Sequence, residues 1–86
     1  MSKYDPLRCF LENASLDMVE MVLSFMQIEQ IVGDALPYTA RNHGSWWANE
    51  LRPGTHSQSS SWLDAGWKVE AVERDHKWVR FRRLCP

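Results

Sequence analysis

The stretch "WKVEAVERDHKWVRFRR", residues 67–83, sets the reading of the whole chain. Val69 and Ala71 alternate with charged residues on one side of "RDHK", and Val79 and Phe81 do the same on the other. Alternation of period two on both sides of a polar turn is the pattern of a β-hairpin with one face toward a core. Arg80 and Arg82 then fall on the outer face together with Trp78, and Lys77 sits at the turn. A basic, aromatic-bearing hairpin at the end of a small domain has the chemistry of a clamp on backbone phosphates. The competing reading is the ordinary charged outer face of a half-buried sheet.

Working back from the hairpin, the segments read as helices. "HSQSSSWLDAGW" (56–67) opens on Thr55 and Gln58, spaced as a capping box, and Gly66 closes it. Before it, "ELRPGTHS" carries the turn signal Pro53–Gly54. "PYTARNHGSWWAN" (37–49) is a helical segment in which Gly44 costs about 1 kcal/mol against alanine, so a bend or restart is expected there. "SFMQIEQIVG" (24–33) has a capping box, Ser24 with Gln27, and a C-terminal Gly33; Phe25, Ile28, Ile31 and Val32 share one face. "MVEMVLS" (18–24) contains a short strand near residues 20–24. "YDPLRCFLENA" (4–14) starts with Asp5 as N-cap before Pro6 and places Leu7, Phe10, Leu11 and Ala14 on one helix face.

The order is therefore helix, short strand, helix, helix, helix, hairpin. With one extra short helix, this is the order of a winged helix. The fold class expected is α+β, winged-helix-like, with three to four helices, a short strand and a C-terminal hairpin, in one domain spanning residues 1–86. Composition agrees: 44% hydrophobic and 24% charged residues are ordinary for a globular domain, and five Trp supply bulk for a small core. Cys9 and Cys85 lie near opposite ends with no secretory h-region between them and the start, so they read as free thiols in a cytoplasmic protein. The run of apolar residues needed to span a membrane is missing from the sequence.

Net charge is −1, but unevenly spread: residues 1–36 sum to −4, 37–61 to +1 and 62–86 to +2. That is short of the basicity of a strong electrostatic DNA binder.

Trp47, Trp62 and Trp67 are expected in the core. Adjacent helical residues point about 100° apart, so Trp46 and Trp47 cannot both face one core, and Trp46 is expected to be partly exposed. On a continuous helix Arg41, Ser45 and Asn49 form a polar stripe, and Arg and Asn are the residue types that pair with guanine and adenine edges. His56, Gln58 and Ser59 would lie at a helix start, where free N–H groups favour a phosphate. The plainer alternative for both groups is a solvated face and ordinary capping. Catalysis has little behind it. His43, His56 and His76 with Asp64 or Asp75 belong to no motif, and neither metal spacing nor a phosphate loop is present. No cofactor is expected.

In combination, Tyr4-Asp5-Pro6-Leu7, Phe25-x-x-Ile28-Glu29, Leu36-Pro37-x-Thr39-Ala40-Arg41, Trp46-Trp47-x-Asn49, His56-x-Gln58 and Trp62-Leu63-x-Ala65-Gly66-Trp67 resemble a family of small, largely uncharacterised prokaryotic and phage domains. The resemblance runs from Tyr4 to about Phe81. Thr39 stands where serine is expected and Ser45 where alanine is expected, and the first strand lacks a Leu-Thr-Phe. Members look like stand-alone proteins or modules attached to restriction-type nucleases, which implies an accessory role in DNA recognition or phage–host conflict. The polar positions it carries over are Arg41, Trp46, Trp47, Asn49, His56 and Gln58.

The expected function is a non-enzymatic nucleic-acid-binding module, with DNA the first target and RNA the second. Arg41, Ser45, Trp46, Asn49, His56, Gln58 and Ser59 would meet bases or backbone, and Lys77, Arg80 and Arg82 phosphates. The rival is a protein-interaction domain, such as a phage-encoded inhibitor of a host defence complex, whose Glu12, Asp17, Glu20, Glu29 and Asp34 mimic nucleic acid.

Overall fold

The structure is a computed structural model that describes residues 3–49 and 58–84. Its elements are α1 (Asp5–Glu12), β1 (Glu20–Ser24), α2 (Phe25–Val32), α3 (Tyr38–Asn42), a 3-10 turn (Gly44–Trp47), α4 (Gln58–Leu63), β2 (Trp67–Glu73) and β3 (Trp78–Arg83). The class is α+β, with the expected C-terminal hairpin formed by β2 and β3.

Strand order is β1-β3-β2, antiparallel throughout, so the hairpin's second strand is central and β1 pairs beside it. This is the winged-helix arrangement the element order implied. Met21, Leu23, Val79 and Phe81 point inward, while Glu20, Val22, Trp78, Arg80 and Arg82 line the outer face. The hairpin departs from simple alternation. A bulge between Val69 and Ala71 sets Val69 opposite Phe81 but Val72, not Ala71, opposite Val79. The extra residue keeps two valines on the core face although three positions separate them.

Local chemistry explains most boundaries. Ser24 Oγ accepts from the Gln27 N–H at 3.0 Å and Gln27 Oε1 from the Ser24 N–H at 2.8 Å, a complete capping box. Gly33 ends α2 in the left-handed region at φ 81°, where a side chain would be strained. α1 begins one residue earlier than expected: Tyr4 is the N-cap, its side chain making no capping hydrogen bond, and Asp5 is already helical. The helical segment expected over 37–49, with a bend or restart at Gly44, divides there into α3 and the 3-10 turn, separated at His43, whose backbone is extended (φ −133°, ψ 117°) just before Gly44.

The core joins both layers. Trp47, Trp62 and Trp67 are buried as expected, with Leu7, Leu11, Phe25, Ile28, Val79 and Phe81. Phe25, Trp47, Trp62 and Phe81 form a run of ring contacts at 5.7, 5.8 and 6.0 Å that ties α2, the 3-10 turn, α4 and β3 together. Each buried indole N–H has a partner: Trp47 donates to the Ala40 carbonyl, Trp62 to Asn49 Oδ1 and Trp67 to the Leu11 carbonyl, at 2.8, 2.9 and 3.1 Å. Phe10 does not join this core. It lies on the rim of α1, 42% exposed.

Candidate nucleic-acid interface

The break at His43 undoes the one-helix stripe, and Arg41, Ser45 and Asn49 go three ways. Arg41, on α3, is ion-paired with Glu29 of α2. Glu29 also accepts from the Leu36 N–H at 2.8 Å, and that backbone bond, followed by Arg41, holds its carboxyl below the usual carboxylate range. Ser45 is exposed in the 3-10 turn. Asn49 is turned to the sheet: its Nδ2 donates to the Val69 carbonyl at 2.8 Å, and its Oδ1 accepts from the Val69 N–H at 2.8 Å and from Trp62 Nε1 at 2.9 Å. A side-chain amide has the donor and acceptor of a peptide unit, so Asn49 covers the outer edge of β2 as one residue of a further strand would.

The helix-start group is likewise drawn inward where it is described. Gln58 Nε2 donates to the Trp46 carbonyl at 2.9 Å. Ser59 is buried in α4. His56 and Thr55 lie outside the described residues. Trp46 is half-buried, as expected for one of the two adjacent tryptophans, and packs edge-on to Trp47 at 4.6 Å and to Tyr4 at 5.7 Å.

On the outer sheet face the arginines have carboxylate partners. Arg80 lies 3.2 Å from Glu20 and 5.5 Å from the Trp78 ring centre. Arg82 pairs with Glu20 at 3.2 Å and with Glu70 at 2.5 Å, and the Glu70 carboxyl is lowered chiefly by that bond. Arg83 donates to the carbonyls of Met18 and Ser15 at 2.8 and 2.9 Å, tying down the turn before β1. The acidic surface is matched in the same way. Glu12 pairs with Arg8, Glu20 with Arg80 and Arg82, Glu29 with Arg41 and Asp34 with Lys3. Four of the five carboxylates proposed as a nucleic-acid mimic therefore face cations.

What remains is a cleft at the hairpin tip. It encloses about 790 Å³ between the β2–β3 turn and α2–α3. Arg41 and Asn42 stand on one wall, Arg74, Asp75, His76 and Lys77 on the other, with Glu29 and Met26 from α2. Arg74 reaches across and donates to the Asn42 carbonyl at 2.5 Å. Lys77 adopts the left-handed region at φ 60°, rare for a residue with a Cβ, and its carbonyl accepts from the Phe25 N–H at 2.8 Å. The tip is thus anchored to the start of α2 while the Lys77 side chain stays exposed, without an ion pair among the described residues. Three permanent cations, Arg41, Arg74 and Lys77, face two carboxylates, Glu29 and Asp75. Of the expected residues only Arg41 and Lys77 meet here. Arg74, His76 and Asn42 were missed, because in sequence "RDHK" is legible as a turn and nothing marks the helix it will face.

Among the described residues no group of three His, Cys, Asp or Glu side chains is arranged to hold a metal ion, and no helix is long and apolar enough to cross a membrane. Cys9 is a free, exposed thiol, and Cys85 lies outside the described residues. No curated protein and no solved structure matches the chain. A family model does match, over residues 4–84, and the chain belongs to that family, described as Domain of unknown function (DUF7662).

Proposed function

We propose that this chain is a non-enzymatic nucleic-acid-binding module of winged-helix type that grips backbone phosphate in the cleft at its hairpin tip. The observation that carries the proposal is the juxtaposition of Arg74 and Lys77 on the wing with Arg41 on α3, across a cleft open to solvent. Cations on a hairpin tip and on a facing helix can hold a phosphate backbone from two sides, a contact that positions and does not specify sequence. The outer sheet face is assigned no such role, because both its arginines, Arg80 and Arg82, are ion-paired with Glu20 and Glu70, whereas in the cleft Arg41 alone is ion-paired, with Glu29, and Arg74 and Lys77 have no ion pair among the described residues. Weak, non-specific grip suits an accessory function, and we extend the reading to an accessory role in DNA recognition or phage–host conflict on the strength of the sequence resemblance.

Fluorescence anisotropy with double- and single-stranded oligonucleotides tests it. Two to three phosphate contacts correspond to a roughly ten- to forty-fold loss of affinity between about 50 and 200 mM salt. Absence of binding at the lower salt refutes the proposal. A protein-interaction role is the second reading, and what favours it is apolar: Phe10, Met18, Val22 and Met26 are all exposed.

A further inference from the structure

An exposed aromatic stands beside the hairpin-tip cleft. Tyr38 opens α3 with 74% of its surface exposed. Its ring meets the His43 imidazole edge-on at 6.1 Å, and His43 is exposed as well. Successive helical residues turn by about 100°. Counted from the buried Ala40, Tyr38 and Asn42 therefore point away from the core, and Arg41 lies about 60° round the helix from Tyr38. The ring is thus one turn along α3 from Arg41 and Asn42, the two residues that form one wall of the cleft. Arg74 crosses the cleft to the carbonyl of Asn42, the residue before His43. Met26 of α2, 68% exposed, lines the same cleft. A phosphate makes no use of either apolar group.

We infer, resting on the phosphate grip proposed above, that the ligand is a single strand of nucleic acid, one base of which stacks on Tyr38 while its backbone lies among Arg41, Arg74 and Lys77. An aromatic face stacks on any base, and it needs a base that is free to leave its neighbours. A duplex keeps its base faces inside the stack and would offer Tyr38 only sugar and phosphate. An unpaired strand presents a base face next to a phosphate, the two chemistries that meet here. Reading of duplex base edges has little left to work with. Arg41 is ion-paired with Glu29, Asn42 Nδ2 donates to the Tyr38 carbonyl at 3.0 Å, and Asn49 is turned to Val69 and Trp62. α3 itself is little more than one turn long. Stacking is the contact that this helix leaves open, and Met26 adds an apolar surface for a sugar or a second base. Single-stranded DNA and RNA share this chemistry.

Anisotropy with labelled strands of about 12 nucleotides, within the range of single-strand sites, tests it at low salt on the full chain. Four probes are compared: single-stranded DNA, single-stranded RNA, a DNA duplex, and an abasic strand that keeps the phosphates and lacks the bases. Tyr38→Ala removes the ring from an exposed position, and Tyr38→Phe keeps it. Circular dichroism checks that both variants are folded. The expected result is tighter binding of a base-bearing single strand than of the duplex or the abasic strand. Tyr38→Ala weakens that binding roughly five- to 150-fold, the loss of one stacked base, while duplex and abasic affinities move far less. Tyr38→Phe retains the preference. The DNA and RNA arms identify which strand is held more tightly, and this pattern in either supports the inference. Equal affinity for all four probes, indifferent to Tyr38→Ala, overturns the inference alone; the phosphate grip then stands if Arg74→Ala/Lys77→Ala abolishes that binding. A Tyr38→Ala loss equal on every probe also overturns it, because the ring then serves the fold and not a base. Absence of binding to every probe overturns the inference and the phosphate grip together.

Discussion

Replacing Asn49 with alanine separates a structural residue from a base-reading one. The substitution removes three hydrogen bonds, two to Val69 and one from Trp62. Trp62 is fully buried, but its Nε1–H shares the Asn49 Oδ1 acceptor with the Val69 N–H, so water that enters the vacated space serves both and this bond contributes about 0.5–1.5 kcal/mol. The Val69 groups lie at a sheet edge that water can reach once the amide is gone, so each of those bonds contributes about 0.5–1.5 kcal/mol. Together the loss is about 3 kcal/mol, against a total of roughly 4–13 kcal/mol for a domain of this size. The melting temperature should fall by about 12–24 °C. Urea titration followed by tryptophan fluorescence and circular dichroism measures it, with an unchanged denaturant slope showing that the folded state is the same. A loss below about 0.5 kcal/mol, less than one ordinary hydrogen bond, would refute the assignment. If oligonucleotide affinity fell while stability held, Asn49 would belong to a reading surface after all.

Two further outcomes follow from individual contacts. Glu29 has its carboxyl lowered by the Leu36 N–H and Arg41, so it contributes stability that is fully present above the ordinary glutamate value of about 4.3 and is lost as pH falls through its lower folded value. Denaturant titrations in acid should therefore show the wild type losing its advantage over Glu29→Gln as pH is lowered, and a difference independent of pH would contradict the assignment. Lys77→Gly should raise stability by about 0.5–1 kcal/mol by relieving a left-handed backbone, while weakening oligonucleotide binding; stability and affinity falling together would place Lys77 in the fold and not at the interface.

Features set by local chemistry were legible before the structure. The Ser24–Gln27 capping box, the αL position of Gly33 and the alternation of β3 each depend on residues within a few positions of one another. Features set by distant partners were not. Asn49 reaches Val69 twenty residues on, and nothing near Asn49 distinguishes an amide that covers a strand edge from one that faces solvent. Arg80 and Arg82 were legible as outer-face residues, but their neutralisation depends on Glu20, brought alongside by the β1–β3 register. Phe10 fits the helical period of α1, yet an eight-residue helix turns only Leu7 and Leu11 fully inward. Arg41 and Arg74 share a cleft only because the hairpin folds back over α2.

The central claim, a phosphate grip at the hairpin tip, is tested most directly by comparing two double variants in the anisotropy titration at low salt. Arg74→Ala/Lys77→Ala removes cleft cations, whereas Arg80→Ala/Arg82→Ala removes arginines already held by Glu20 and Glu70. Binding that is lost in the first, largely kept in the second and weakened by salt in the wild type is the expected result. Binding lost only in the second variant, or a wild type that binds no oligonucleotide, would contradict the claim.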